Sequence, residues 1–175
     1  MKKTLIIIFL TTISSLSLSS QTIKLSEGSI RFISEKKGIS AENTSFSSQI
    51  NVKEKSVSFT IPIAGFIFKK QKMQDHFNNK GVMHSEKFPE ATFNGKIITD
   101  KDLSKAGTYE VVVEGKIKIR NVEKDYKANG SIKITTEGVA IKSEFKIVRE
   151  DFGIKGFYAS MTDDIMKVFL VAVYK

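Results

Sequence analysis

Residues 56–63, SVSFTIPI, place Val57, Phe59, Ile61 and Ile63 at every second position. The same period recurs in TYEVVVEGKIKI (108–119), where Tyr109, Val111, Val113, Ile117 and Ile119 share one face with Gly115. KANGSIKI (127–134) repeats it with Ala128, Gly130, Ile132 and Ile134, and VAIKSEFKI (139–147) with Val139, Ile141, Phe145 and Ile147. Successive side chains of an extended strand point to opposite faces, so this alternation predicts half-buried β-strands. Further strands are expected around SIRFIS (29–34), FSSQINV (46–52) and ATFNGKII (91–98).

Polar segments rich in Gly, Asn, Asp and Lys separate these runs: EKKG (35–38), KEK (53–55), TDKDLSKAG (99–107), NVEKD (121–125) and TEG (136–138). Short turns between regular strands predict an antiparallel meander that closes into a barrel or packs as a sandwich. Gly95, Gly115 and Gly130 lie inside strand patterns, where single glycines mark sharp coiling of a sheet. IMKVFLVAVYK (165–175) is apolar on both faces from Val168 to Tyr174, which predicts a strand covered on both sides.

One segment breaks the period. KMQDHFNN (72–79) carries Met73, His76 and Phe77 on one helical face, with Gly81 placed for a C-terminal cap and Val82 for the contact that follows it. A second short helix is expected near SMTDDIM (160–166), with Thr162 as its cap.

The N-terminus changes the picture of location. Lys2 and Lys3, an apolar core from Leu5 to Leu10 and a Ser-rich stretch have the order of a secretory signal peptide, with cleavage expected near Ser19 or Ser20. The apolar run is too short to span a bilayer. Residues 1–20 are thus expected to be removed and 21–175 to form one exported domain, periplasmic or secreted. Removing 20 of 175 residues leaves 155, enough for one core or a small barrel. The chain has no cysteine, so neither a disulfide nor a lipid-modified Cys is available to it.

The formal charge of +9 falls to +7 once Lys2 and Lys3 leave. The lysines are scattered at alternate strand positions, as a solvated outer face requires. A nucleic-acid site would need clustered Arg among stacking aromatics, and Arg31, Arg120 and Arg149 are far apart. Nucleic acid is not an expected partner.

Reactive chemistry finds little support. His76 and His84 with Asp75 or Glu86 are the only candidates for a metal site, but Gly81 interrupts the helix between the histidines and nothing makes them converge. Glu150–Asp151 and Asp163–Asp164 are adjacent pairs, which point to opposite faces of a strand and make no acid–base couple. DFG (151–153) stands without the other elements of a kinase. NTS (43–45) and NGS (129–131) fit the glycosylation pattern incidentally. No enzyme, cofactor or metal is expected.

The inward positions are Ile, Val, Phe and Gly. A barrel of eight strands is just wide enough for packed side chains or one small ligand. One isoprene unit buried there would contribute about 3–4 kcal/mol gross.

IPIAGFIFKKQKMQDHFNNKGVMHSEKFPEATFNGKI (61–97) resembles the signature of the YceI-like lipid/polyisoprenoid-binding domains, in which a strand leads to a helix with an H-F pair and then an acidic-Lys-aromatic-Pro segment entering an A-T-F strand. DLSKAGTYEVVVEGKIKIRNVEKDYKANGSIKI (102–134) and FKIVREDFGIKG (145–156) are similar to later parts of the family, so the likeness spans the mature chain. His76, Phe77, Lys87, Phe88, Pro89, Ala91, Thr92 and Phe93 sit on the motif. NNKGVMHS (78–85) departs from the compact connection of many members, and SEKKGISAENTSF (34–46) matches weakly.

The resemblance implies a mainly-β, eight-stranded antiparallel lipocalin-like barrel with a helix at its mouth. It implies an isoprenoid or other long apolar or amphiphilic lipid held inside. The expected lining is Phe59, Ile61, Phe93, Ile97, Val111, Val113, Ile117, Ile132, Ile134, Phe145, Ile147, Phe169 and Val171, with Met73, His76, Phe77 and Phe88 at the mouth. Lys69, Lys70 and Lys72 are candidates to meet an anionic head group. The competing expectation is a filled barrel acting as an interaction module through an exposed Met73–Phe77–Met83 patch. Oligomeric state stays open, a homodimer included.

Overall fold

The computed structural model describes residues 21–35, 38–155 and 163–175. Among these described residues lie ten strands and one α-helix in the order β1 (Ile23–Ser34), β2 (Ile39–Asn43), β3 (Ser47–Asn51), β4 (Ser56–Pro62), β5 (Ile67–Phe68), α1 (Gln71–Asn78), β6 (Glu90–Ile98), β7 (Gly107–Ile119), β8 (Val122–Thr135), β9 (Gly138–Val148) and β10 (Ile165–Tyr174). Eight of them, β1, β3, β4, β6, β7, β8, β9 and β10, pair antiparallel in that order, and β10 returns to β1 to close a barrel.

The seam between β1 and β3 is only two residue pairs long, Ile23 with Ile50 and Lys24 with Gln49. Beyond it β1 pairs with β2, which carries the two-residue β5. The chain bends between β2 and β3, and again at a 3-10 turn over Ile63–Gly65 between β4 and β5. Asn43, fully buried, ties the two bends together. Its Nδ2 donates to the Pro62 carbonyl at 2.8 Å and its Oδ1 accepts from the Ser45 amide at 2.8 Å. The small β2–β5 flap thus rises above one rim of the barrel.

One end of the barrel is filled. Ile50, Ile97, Ile132, Ala172 and Tyr174 are buried there to 2% exposure or less. The Tyr174 hydroxyl hydrogen-bonds Ser48 Oγ at 2.7 Å, and Ser48 donates onward to the Ser58 carbonyl at 2.7 Å. Burial pushes the Tyr174 phenol up to about 12. An unfolded tyrosine titrates near 10, so the folded state holds this proton more tightly between those values. Its contribution is therefore complete below about pH 10 and lost as pH rises towards about 12, by about 2–3 kcal/mol in all. Denaturant unfolding across this range is expected to show that loss in the wild type and not in Tyr174→Phe. Identical pH profiles would refute it.

The opposite end carries α1 and the loops that follow β7, β9 and β4. The helix starts and stops close to the sequence expectation, but its cap differs. It ends at Asn79, whose amide bonds the His76 carbonyl and whose Oδ1 accepts from the Gly81 amide at 2.8 Å. Among the described residues of this connection the left-handed conformation falls on His84, with φ of 50°, and not on Gly81. The Asn side chain performs locally the satisfaction that a glycine cap provides elsewhere.

Two further expectations change. Residues 1–20 and 160–162 lie outside the described residues, and the remainder of the second expected helix is not helical, because Ile165 and Met166 already belong to β10. The outer face of β10 is not covered by any described element, and Val171 remains 39% exposed.

Candidate ligand cavity

The inward residues of the barrel's middle are not fully buried, although they face the inside. Ile117 and Ile119 of β7, Tyr126 and Ala128 of β8, and Phe93 of β6 are all intermediate in exposure. Their side chains border an internal cavity of 270 Å³ rather than one another. A filled barrel would leave no such accessible interior. The size lies close to the lower end of the roughly 300–1,000 Å³ typical of small-molecule sites.

Eight of the thirteen expected lining residues stand on the cavity wall: Phe59, Ile61, Phe93, Val111, Val113, Ile117, Phe145 and Ile147, with Ile132 and Ile97 instead in the plug of the closed end and Ile134 beyond it.

 On β10 the expected Phe169 and Val171 both point outward. The inward set of β10 is Met166, Val168, Leu170, Ala172 and Tyr174, of which the first three reach the cavity. Both faces of that strand are apolar, so its own sequence carries no parity signal. Pairing with β9, which sets Val168 beside Phe145 and Ala172 beside Ile141, decides it. Ile97, Ile132 and Ile134 do face inward, but below the hollow part, where side chains from all strands meet.

The mouth is roofed by aromatics from three places in the chain. Phe32 of β1, Phe66 and Phe68 around β5, and Phe77 of α1 have ring centroids 5.1–5.8 Å apart. Phe32, Phe66 and Phe68 are wall residues outside the expected lining, and the two around β5 escape patterning because that strand is only two residues long. Gln74 fastens α1 over this cluster. Its Nε2 donates to the Phe66 carbonyl at 2.6 Å and its Oε1 accepts from the Phe68 amide at 3.1 Å. Met73, His76, Phe77 and Met83 all line the cavity beneath. Met83 is only 6% exposed, so Met73, Phe77 and Met83 form no outward patch for a protein partner.

Phe88 is at the mouth but not on the wall. The Arg120 guanidinium lies 5.4 Å above its ring and His84 meets it edge-on at 5.8 Å. It braces the loop after α1 against the β7–β8 turn. His84 therefore packs on an aromatic, while His76 faces the cavity. Lys69, Lys70 and Lys72 are exposed around the start of α1.

Three of the polar side chains on the wall, Ser143, Tyr126 and Arg149, have partners within the protein. Ser143 Oγ donates to the Asn129 carbonyl at 2.6 Å, and the Tyr126 hydroxyl donates to the Lys146 carbonyl. Arg149, 8% exposed, donates to the carbonyls of Asp163 and Ile154 at 2.7 and 3.2 Å and to the Asp164 carboxylate at 2.7 Å. It thereby joins the strand end of β9 to the residues that lead into β10. Arg149→Met is expected to lower unfolding free energy by about 2–3 kcal/mol, since hydrogen bonds from a charged donor are lost and buried carbonyls are left without it. Denaturant titration reads this, and a loss under about 0.5 kcal/mol, the range of ordinary surface changes, would contradict it.

What remains for a ligand is an apolar interior with no spare donor or acceptor among these wall groups. It fits hydrocarbon, and a polar group carried deep inside would find little to replace its hydration.

Among curated proteins none matches the chain. Several solved structures do. BcnA of Burkholderia cenocepacia is 19% identical, with 85% of this chain and 96% of that one covered and a TM-score of 0.71. A polyisoprenoid-binding domain from Saccharophagus degradans is 11% identical, with 87% and 97% covered and a TM-score of 0.69. The Campylobacter jejuni YCEI protein is 17% identical, with 100% and 99% covered and a TM-score of 0.58. At these identities the likeness speaks for the fold. The family model described as the YceI-like domain matches residues 21–173, the whole barrel from before β1 into β10, and the chain belongs to the YceI-like family.

Proposed function

We propose that the chain is an exported, non-enzymatic carrier that holds one isoprenoid or other long apolar chain inside its barrel. The observation that carries this is the hollow interior: residues that would form the core of a filled barrel border an accessible apolar cavity instead. The polyisoprenoid-binding domain among its structural neighbours supports the same ligand class. The committed state of Ser143, Tyr126 and Arg149 favours a saturated or isoprenoid tail entering first, with any head group left at the mouth. Lys69, Lys70 and Lys72 are then the cations nearest along the chain to α1 for an anionic head. The signal-like start of the sequence supports action outside the cytoplasm.

The experiment is mass spectrometry of lipid extracted from protein purified from an exporting host, paired with N-terminal sequencing of the mature chain. A stoichiometric polyprenyl or fatty-type lipid and a start near residue 20 are expected. An empty barrel that also fails to take up added polyprenol would overturn the carrier reading.

A further inference from the structure

The two side chains of β5 face opposite ways, as neighbours on a strand do. Phe68 joins the aromatic roof of the cavity, while Ile67 turns to solvent and is 66% exposed, more than any other large apolar side chain among the described residues. One exposed isoleucine is ordinary on a protein surface. Its surroundings are not. Lys69, Lys70 and Lys72 follow it and Lys80 lies just past the end of α1, all four exposed. Among the described residues none of these four enters an ion pair, whereas several lysines of the barrel wall do: Lys116 with Asp125, Lys124 with Asp151, Lys127 with Glu114 and Lys167 with Glu35. β2, β5 and α1 carry two acids, and both are engaged. Glu42, across from Ile67 on β2, accepts from Ser29 Oγ, and Asp75 of α1 accepts from Gln71 Nε2 at 2.8 Å. Residues 67–80 thus hold four cations against one anion.

We propose that this rim docks on an anionic lipid bilayer, with Ile67 seated in the interface and the lysines against the lipid phosphates. An exposed apolar side chain among unpaired cations is complementary to such a surface, since the acyl boundary takes the one and the negative headgroups take the others. Each lysine so placed raises affinity about fivefold. Gln74 holds α1 to the backbone on both sides of Ile67, at the Phe66 carbonyl and the Phe68 amide, so β5 and α1 meet the bilayer as one piece. Seating Ile67 also brings the roof formed by Phe68 and Phe77 against the headgroup layer. The purpose of the contact rests on the carrier reading above, because a long apolar chain is stored in a bilayer and not in water. The contact itself needs no ligand in the barrel.

Co-sedimentation of the mature chain with vesicles tests this. Vesicles of equimolar phosphatidylcholine and phosphatidylglycerol should bind it about tenfold or more tighter than phosphatidylcholine alone, and added salt should release it by screening the lysines. Lys69→Glu combined with Lys72→Glu should weaken binding about twentyfold or more. Ile67→Asp should weaken it about tenfold while melting temperature and extracted lipid stay as in the wild type. Ile67→Trp gives the chain its only Trp, whose emission should shift to the blue with the mixed vesicles and not with phosphatidylcholine alone. An indole there that ignores the mixed vesicles overturns the proposal. Equal binding to both vesicle types does the same, and so does binding to neither, which would leave the free edge of β5 to a protein partner. Docking by protein that neither contains nor takes up lipid would count against the carrier reading and leave the docking proposal standing.

Discussion

Ala128→Trp will yield a folded barrel that carries about tenfold less lipid than the wild type, or none. Ala128 sits on β8 at the cavity wall, opposite Val113 in the register with β7. An indole at this position points into the 270 Å³ that a ligand would fill. Because the space is vacant of protein atoms, the added bulk strains little, and the cost to stability should stay below the roughly 1–3 kcal/mol of overpacking in a filled core. A ligand displaced from most of its apolar contact loses about 0.8 kcal/mol for each CH2 no longer buried, so two such groups already account for a factor of ten. The natural sequence contains no Trp, which makes the new residue its own reporter. Its emission should be that of a buried indole. Lipid content measured by mass spectrometry should fall while the melting temperature changes little. Wild-type lipid content alongside a buried Trp would mean that the ligand does not occupy this cavity.

Gly115→Val should have the largest effect on the fold. Gly115 of β7 pairs directly with Gly95 of β6. A Cβ at position 115 would lie 2.2 Å from the Asn94 carbonyl oxygen and 2.5 Å from the Gly95 Cα. Both are backbone atoms held by the β4–β6–β7 ladder, so neither can swing aside as a side-chain tip would. The two strands must separate at their point of closest approach. The expected cost is about 3 kcal/mol or more. For a chain of this size that corresponds to a fall in melting temperature of roughly 6–12 °C. A melting temperature within about 2 °C of the wild type would show that the close approach is not required. The effect belongs to the fold and not to the ligand, so it should appear equally in protein stripped of lipid.

These two positions illustrate how far patterning along the chain reaches. Ala128 and Gly115 were both legible as inward residues, since each belongs to a run of strict alternation whose other face is Lys, Glu and Asn. The same runs located β4, β6, β7, β8 and β9 and most of their turns. The helix was legible from Met73, His76 and Phe77, although its end was not. Asn79 and His84 supply through a side chain and a left-handed residue what Gly81 was expected to supply through backbone freedom. The single Pro-led entry to β6 and the H-F pair of α1 carried the family likeness.

Other parts could not be read locally. β5 is two residues long, and the aromatic roof joins Phe32 to Phe77 across 45 positions of sequence. Arg149 looked like one of three isolated arginines, and the return of the chain at Asp163 and Asp164 gives its guanidinium partners beyond the nearby Ile154 carbonyl.

Period-two alternation is a property of neighbouring residues, so it dictates strands, their buried faces and an antiparallel barrel without reference to anything distant. Three matters depend on closure of that barrel. Which face of β10 turns inward is set by its register with β1 and β9, because its own residues are apolar on both sides. Whether Ile132 plugs and Ala128 lines depends on the height at which opposing strands converge. That the middle is hollow depends on a circumference fixed by eight strands pairing around a ring, a quantity that no single strand contains.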